Sequence, residues 1–160
     1  MVCTVFLLAA TYGSALMMGF FATWSVAVLP GLDATGAQAA VRVMTSVNQT
    51  VLTPAFATVF FGTPLALVLA SVASAAEGAW VVTAACTAAL FLYGLGVVGV
   101  TTTVNVPLND ALSRAHGDDP EAAWLRFATR WRPWNHVRAV SATAAFSLCL
   151  VAWHPIALSG

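Results

Sequence analysis

The sequence predicts an all-α membrane protein: a four-transmembrane-helix bundle with an interfacial helix after span one and a short amphipathic helix between spans three and four. Three observations predict it. Of the 160 residues, 60% are apolar and 8% charged, against about 25% charged in an ordinary soluble domain. A soluble chain this small has too much surface to cover with so few charges, so lipid is its main solvent. Four apolar runs reach the roughly 20 residues that a helix needs to cross a bilayer. None of the four contains Asp, Glu or Lys, and Arg138 alone sits near the start of the last. At this length a single integral membrane domain over 1–160 is expected.

The first run spans about 4–28. Met1-Val2-Cys3-Thr4 carries no basic side chain, and the run is longer than the apolar part of a signal peptide, so it is read as a retained span. Gly13, Ser14 and Gly19 let a neighbouring backbone approach where lipid gives no hydrophobic drive. Pro30-Gly31 is expected to end the span in a turn. From Asp33 to Asn48, Val41, Met44, Val47 and Ala40 make a helical stripe with Gln38, Arg42 and Gln49 elsewhere around it. That pattern predicts an interfacial helix leading into span two.

Spans two and three cover about 51–73 and 79–101. The tight Glu77-Gly78 turn makes them antiparallel neighbours. Beyond them, Asp118-Asp119-Pro120-Glu121 is a helix start, with Asp119 as cap and Pro120 at the first helical position. The helix that follows puts Trp124, Phe127, Ala128 and Trp131 on one face and Arg126 and Arg130 away from it. Pro133 is expected to break this helix and open span four, about 135–153.

Orientation follows from the arginines, since the chain has no lysine. Arg42 lies in the loop 29–50; Arg114, Arg126, Arg130 and Arg132 lie in the loop 103–134. The opposite side holds both termini and the Glu77 turn, with no Lys or Arg. Both loops are therefore expected in the cytosol and both termini outside it. With zero formal net charge, nothing points to nucleic acid. Cys3, Cys86 and Cys149 stand singly, without metal-ligand spacing, and read as small apolar fillers.

Polar side chains at bilayer depth are costly, and a cluster of them points to function. Four features gather at the cytosolic end. Asn105 and Asn109 are four apart on one helix face. Pro107 between them leaves the carbonyl of Thr103 without a donor, so the amides either bond that backbone or point into a cavity. Trp131-Arg132-Pro133-Trp134-Asn135-His136-Val137-Arg138 reads in part as an interfacial anchor of Trp and Arg. That account explains Asn135 and His136 less well, and His136 is the candidate general base. Asn48 either caps span two or reaches the same pocket. Thr101, Thr102 and Thr103 end span three; bonding back to their own helix is the simpler expectation, with Thr103 kept as a substrate-binding candidate. No paired His or carboxylate spacing suggests a metal site. His116 and His154 lie far from His136 in sequence, and phosphate-loop, nucleophile-elbow and dinucleotide motifs are missing.

The order Pro30-Gly31-Leu32, Asn48, Asn105-Val106-Pro107-Leu108-Asn109, Trp131 and Trp134-Asn135-His136-Val137-Arg138 resembles the anthrone oxygenase-like family of small four-helix membrane proteins. The likeness covers nearly the whole chain. It implies oxidation of an apolar aromatic, anthrone-like polyketide by molecular oxygen as co-substrate, without flavin, haem or nicotinamide. It also implies a site of His136, Asn105, Asn109, Asn135 and Arg138, with Trp131 and Trp134 as stacking walls. Two other readings stay open: a non-catalytic membrane module that binds a lipid or a partner subunit, and an oxidase that uses a bound metal ion. The partners expected are the lipid bilayer and a small apolar aromatic substrate; a homo-oligomer is left open.

Overall fold

The computed structural model describes residues 2–115 and 119–158, so His116 and Asp118 lie outside the described residues. Five helices follow in chain order among those residues: α1 Val2–Ala34, α2 Ala37–Thr50, α3 Pro54–Ala76, α4 Trp80–Arg114 and α5 Pro120–Leu158. Four of them, all but α2, are long and apolar enough to cross a membrane. The chain is an all-α, multi-pass membrane protein. Each spanning helix packs on its neighbours in sequence, α1 on α3, α3 on α4 and α4 on α5, and α5 closes the ring against α1. The short links dictate this order. Gly36 and Gly78 take positive φ, 82° and 72°, a conformation open to glycine at little steric cost, and so end α1 and turn α3 into α4.

Two apolar clusters fill the bundle. The larger includes Leu7, Phe21, Leu67, Val82, Cys86, Tyr93 and Cys149, all fully buried. Within it the Tyr93 hydroxyl donates to the carbonyl of Phe60 at 3.1 Å. The second cluster lies toward the expected cytosolic end and joins Trp24, Leu29, Met44, Leu112, Trp124, Phe127 and Trp131. Here α2 lays its apolar stripe: Ala40 and Met44 are buried, and Val41 and Val47 pack beside them. Leu8, Leu16, Phe61, Val72, Phe91, Val140 and Leu150 point outward, an apolar surface suited to lipid. Small residues set the closest crossings: a Cβ on Gly13 would meet Thr63, and one on Gly96 would meet Ser141. Gly19 meets nothing, so it is not one of the contact positions the sequence suggested.

The prolines do not break the helices where the sequence predicts. Pro30-Gly31 lies within α1, which runs on to Ala34, and Pro133 lies within α5, a helix of 39 residues. The amphipathic helix that starts at Pro120 is thus the first part of span four rather than a separate element. Its expected face is present: Trp124, Phe127, Ala128 and Trp131 are buried while Arg126 and Arg130 are exposed. Asp119 caps it through the amides of Glu121 and Ala122.

The helix widens to π geometry at Trp24–Val28 and again at Thr101–Asn105. In both places a proline follows two residues later, Pro30 and Pro107. A proline clashes with the carbonyl four residues back, and a wider turn displaces that carbonyl, so the chain passes the proline without stopping. A third π stretch covers Gly94–Gly99. Helices of 33 and 35 residues are roughly 50 Å long, well beyond the ~30 Å hydrocarbon core. They extend past the membrane as a bundle, which is why the apolar runs alone underestimate them.

Candidate functional site

The site forms where both π turns and the centre of α5 meet. Arg138 is 6% exposed. Its guanidinium lies 4.6 Å from the ring centre of Phe21 and 4.9 Å from that of Trp131, within the range of cation–π attraction. Nη2 donates to Asn135 Oδ1 at 2.9 Å and Nη1 to Thr101 Oγ1 at 3.3 Å; Nε has no partner. Among the described residues no carboxylate pairs with it. A buried arginine in a spanning helix is costly, and the two rings and two hydrogen bonds offset part of that cost.

Asn135 is fully buried. Its Nδ2 donates to the carbonyl of Phe21 at 3.0 Å and to Ser25 Oγ at 2.8 Å. One amide therefore ties α1, at its π turn, to α5 and orients Arg138. Asn109 accepts a hydrogen bond from Trp131 Nε1 at 2.9 Å through its Oδ1, joining α4 to α5. Farther out, Asp33 on α1 accepts from Trp124 Nε1 at 2.9 Å and pairs with Arg132 at 2.7 Å.

Arg138 lines a cavity of about 210 Å³, smaller than the roughly 300–1,000 Å³ of most ligand pockets. Phe20, Phe21, Trp24, Phe56, Phe60 and Trp131 give it aromatic walls. Its polar lining is Asn48, Gln49, Thr101, Asn109, Asp110, Ser113 and Arg138. Part of one wall comes from the end of α2 and the non-helical link through Val51 and Leu52. This is an apolar slot with a few polar groups, the composition common to small-molecule sites.

Of the residues singled out from sequence, Asn48, Asn109, Trp131 and Arg138 meet at this cavity. Asn135 stands directly behind Arg138. Asn105 is 1% exposed and does not line the cavity; neither its Nδ2 nor its Oδ1 has a partner in the protein. Asn48 Nδ2 is likewise buried and unpartnered. It does not cap α3: Thr53 does, accepting from the amide of Phe56 at 3.1 Å. Neither Asn105 nor Asn109 bonds the carbonyl of Thr103.

The expectation that His136 shares one pocket with Asn105 and Asn109 is not met. His136 is exposed on the outer side of α5 and lines no part of the cavity. The reason is helical geometry: Asn135 and Arg138, three apart, share the inward face, and position 136 is turned about 100° from position 135. Trp134, 41% exposed, faces outward too and is not a wall of the cavity. Thr103 is exposed and donates to the carbonyl of Gly99 at 2.8 Å, so it bonds back to its own helix, while Thr101 turns inward instead.

Sequence reasoning passed over the phenylalanines, Trp24, Ser25 and Asp110. The phenylalanines and Trp24 looked like ordinary span residues. Asp110, one position past Asn109, was a signal in plain view. Among the described residues no group of three or more His, Cys, Asp or Glu is placed to hold a metal ion.

Comparison with known proteins adds one positive finding. No curated protein and no solved structure matches the chain. Residues 52–148 match the family described as anthrone oxygenase. The match takes in α4 with Asn105 and Asn109 and α5 through Asn135 and Arg138, the elements that frame one side of the cavity. It covers more than half of the 160 residues, and on that ground the chain belongs to the anthrone oxygenase family.

Proposed function

We propose that the protein is a membrane oxygenase that uses molecular oxygen on an apolar aromatic substrate of the anthrone type, bound in the cavity beside Arg138. The observation that carries this reading is a buried guanidinium without a carboxylate partner, held against two aromatic rings at the wall of an apolar slot. A buried cation is costly unless something compensates its charge. An anthrone supplies that compensation when it loses a proton from the methylene between its aryl rings, because the electron pair moves onto the carbonyl oxygen. Arg138 stabilises this enolate more than the neutral ketone, which is the difference that accelerates a reaction. Asn48 and Asn109 are further donors around the oxygens, and Phe21, Trp24, Phe56 and Trp131 hold the rings.

The enolate is electron-rich and passes electrons to oxygen directly. Overall the methylene and one O2 give a carbonyl and one water, so atoms balance without another reductant. In this reading the segments 29–50 and 103–134 face the cytosol, as the one-sided arginines predict, and the cavity lies at that end of the bundle.

The test is oxygen uptake by the purified protein in detergent with an anthrone, following the quinone product. One quinone per oxygen consumed is expected. Arg138→Met keeps an apolar filling but removes the charge, and turnover falls by about 10²–10³-fold, the scale for loss of an oxyanion donor. Equal turnover in Arg138→Met would overturn the assignment of that residue. No oxygen uptake with any anthrone, from a folded protein, would overturn the function.

A further inference from the structure

We infer that Asp110 is the catalytic base of this site. This rests on the oxygenase reading above and goes beyond it by naming the group that takes the substrate's proton. Among the described residues that line the cavity, Asp110 is the one carboxylate and Arg138 the one cation. Both line one cavity, yet they form no ion pair. Arg138 is held back by Phe21, Trp131, Asn135 and Thr101. Asp110 comes from α4, whose preceding residue Asn109 accepts a hydrogen bond from Trp131 Nε1. A molecule in this cavity has a proton acceptor and an oxyanion stabiliser within one lining.

The remaining candidates fail on position or chemistry. His136 is exposed and outside the cavity. Ser113 lines it, but its hydroxyl donates to the carbonyl of Asn109 at 3.0 Å, and a neutral alcohol is a poor base. Asparagine and glutamine amides accept no proton at neutral pH. A carboxylate is a weak base for a carbon acid; it suffices when the enolate forms against a fixed cation, because the cation makes the carbon acid stronger.

The step balances. The methylene C–H bond breaks, an O–H bond forms on the Asp110 carboxylate, and the electron pair delocalises onto the carbonyl oxygen facing Arg138. Asp110 is exposed at the cavity rim, so water can carry the proton off before the next turnover.

Proton removal can be read apart from oxygen chemistry. The full-length protein in detergent is incubated without oxygen in heavy water with an anthrone, and exchange at the methylene is followed by NMR above the buffer rate. Wild-type protein is expected to catalyse exchange; Asp110→Asn, nearly identical in shape and exposed, is expected to lose it by about 10²–10⁴-fold while still binding the anthrone. Asp110→Glu should recover part of the rate. Wild-type rates of exchange and oxygen uptake in Asp110→Asn would overturn the assignment and leave the oxygenase reading standing. Loss of exchange in His136→Ala but not in Asp110→Asn would also overturn it, in favour of the histidine. A wild-type protein that neither exchanges nor consumes oxygen would remove both inferences together.

Discussion

At the scale of single residues, the centre of α5 separates what a side chain can do from where it points. Asn135, His136 and Arg138 are equally capable on paper, but only the first and third face inward. Asn105 raises a different point. A buried amide without a partner costs about 1–3 kcal/mol, and such a cost at a native position calls for a reason. If the reason is service to the site, stability and activity should move in opposite directions. Asn105→Leu, which removes the unpaired groups and keeps the number of side-chain heavy atoms, is expected to raise the melting midpoint in detergent by a few degrees and to lower turnover about tenfold. Thermal unfolding beside the oxygen assay checks both; a variant that loses stability would mean that the amide has a structural partner. Much of the site was legible at this scale. Asn48, Asn109, Trp131 and Arg138 could be picked out because polar or indole groups at bilayer depth are conspicuous. The aromatic wall was not legible: Phe20, Phe21, Phe56 and Phe60 are indistinguishable in sequence from lipid-facing residues such as Phe61 and Phe91.

At the scale of elements, four spans, the interfacial helix and the amphipathic start of α5 follow from apolar length and periodicity, and the helix ends do not. Pro30 and Pro133 are breakers by every local rule, yet α1 and α5 run through them because packing on both sides holds the helix together and a π turn makes room at Pro30. Such accommodation depends on tertiary contacts that a single sequence does not display. The same elements show how tightly the bundle is set. Gly96 lies in the π stretch of α4 and faces Ser141 on α5, with no room for a Cβ between them. Overpacking of this kind costs about 1–3 kcal/mol. Gly96→Ala is therefore expected to lower the unfolding midpoint, and Ser141→Gly in the same chain to restore most of the loss. A neutral Gly96→Ala would show that α4 and α5 separate at little cost. Because Ser141 is three residues from Arg138, the single variant should also weaken turnover, and the double variant should recover it.

At the scale of the whole molecule, the cavity occupies one end of the bundle rather than its middle. The apolar cluster with Tyr93, Cys86 and Cys149 reaches the site through Phe21 and Phe60, and the other meets it through Trp24 and Trp131. The family match begins at residue 52, so α1 and α2 lie outside it, yet they supply Phe21, Trp24 and Asn48 to the cavity and the carbonyl that holds Asn135. The site is thus a property of all five helices, and its side of the membrane decides which pool of substrate it meets. In the proposed reaction an anthrone would enter from the bilayer and the proton taken by Asp110 would leave through water, which favours a site at the interface over one at the midplane. From the arginine distribution we propose that this interface faces the cytosol. Single cysteines report it directly, because Cys3, Cys86 and Cys149 are all buried and give little background. In intact cells, a membrane-impermeant thiol reagent is expected to label Glu77→Cys, exposed at the α3–α4 turn, and to spare Thr129→Cys, exposed on the arginine-bearing part of α5. Permeabilised cells should label both. The opposite pattern would turn the molecule over, and the cavity with its Asp110 and Arg138 would then draw on the outer face of the membrane.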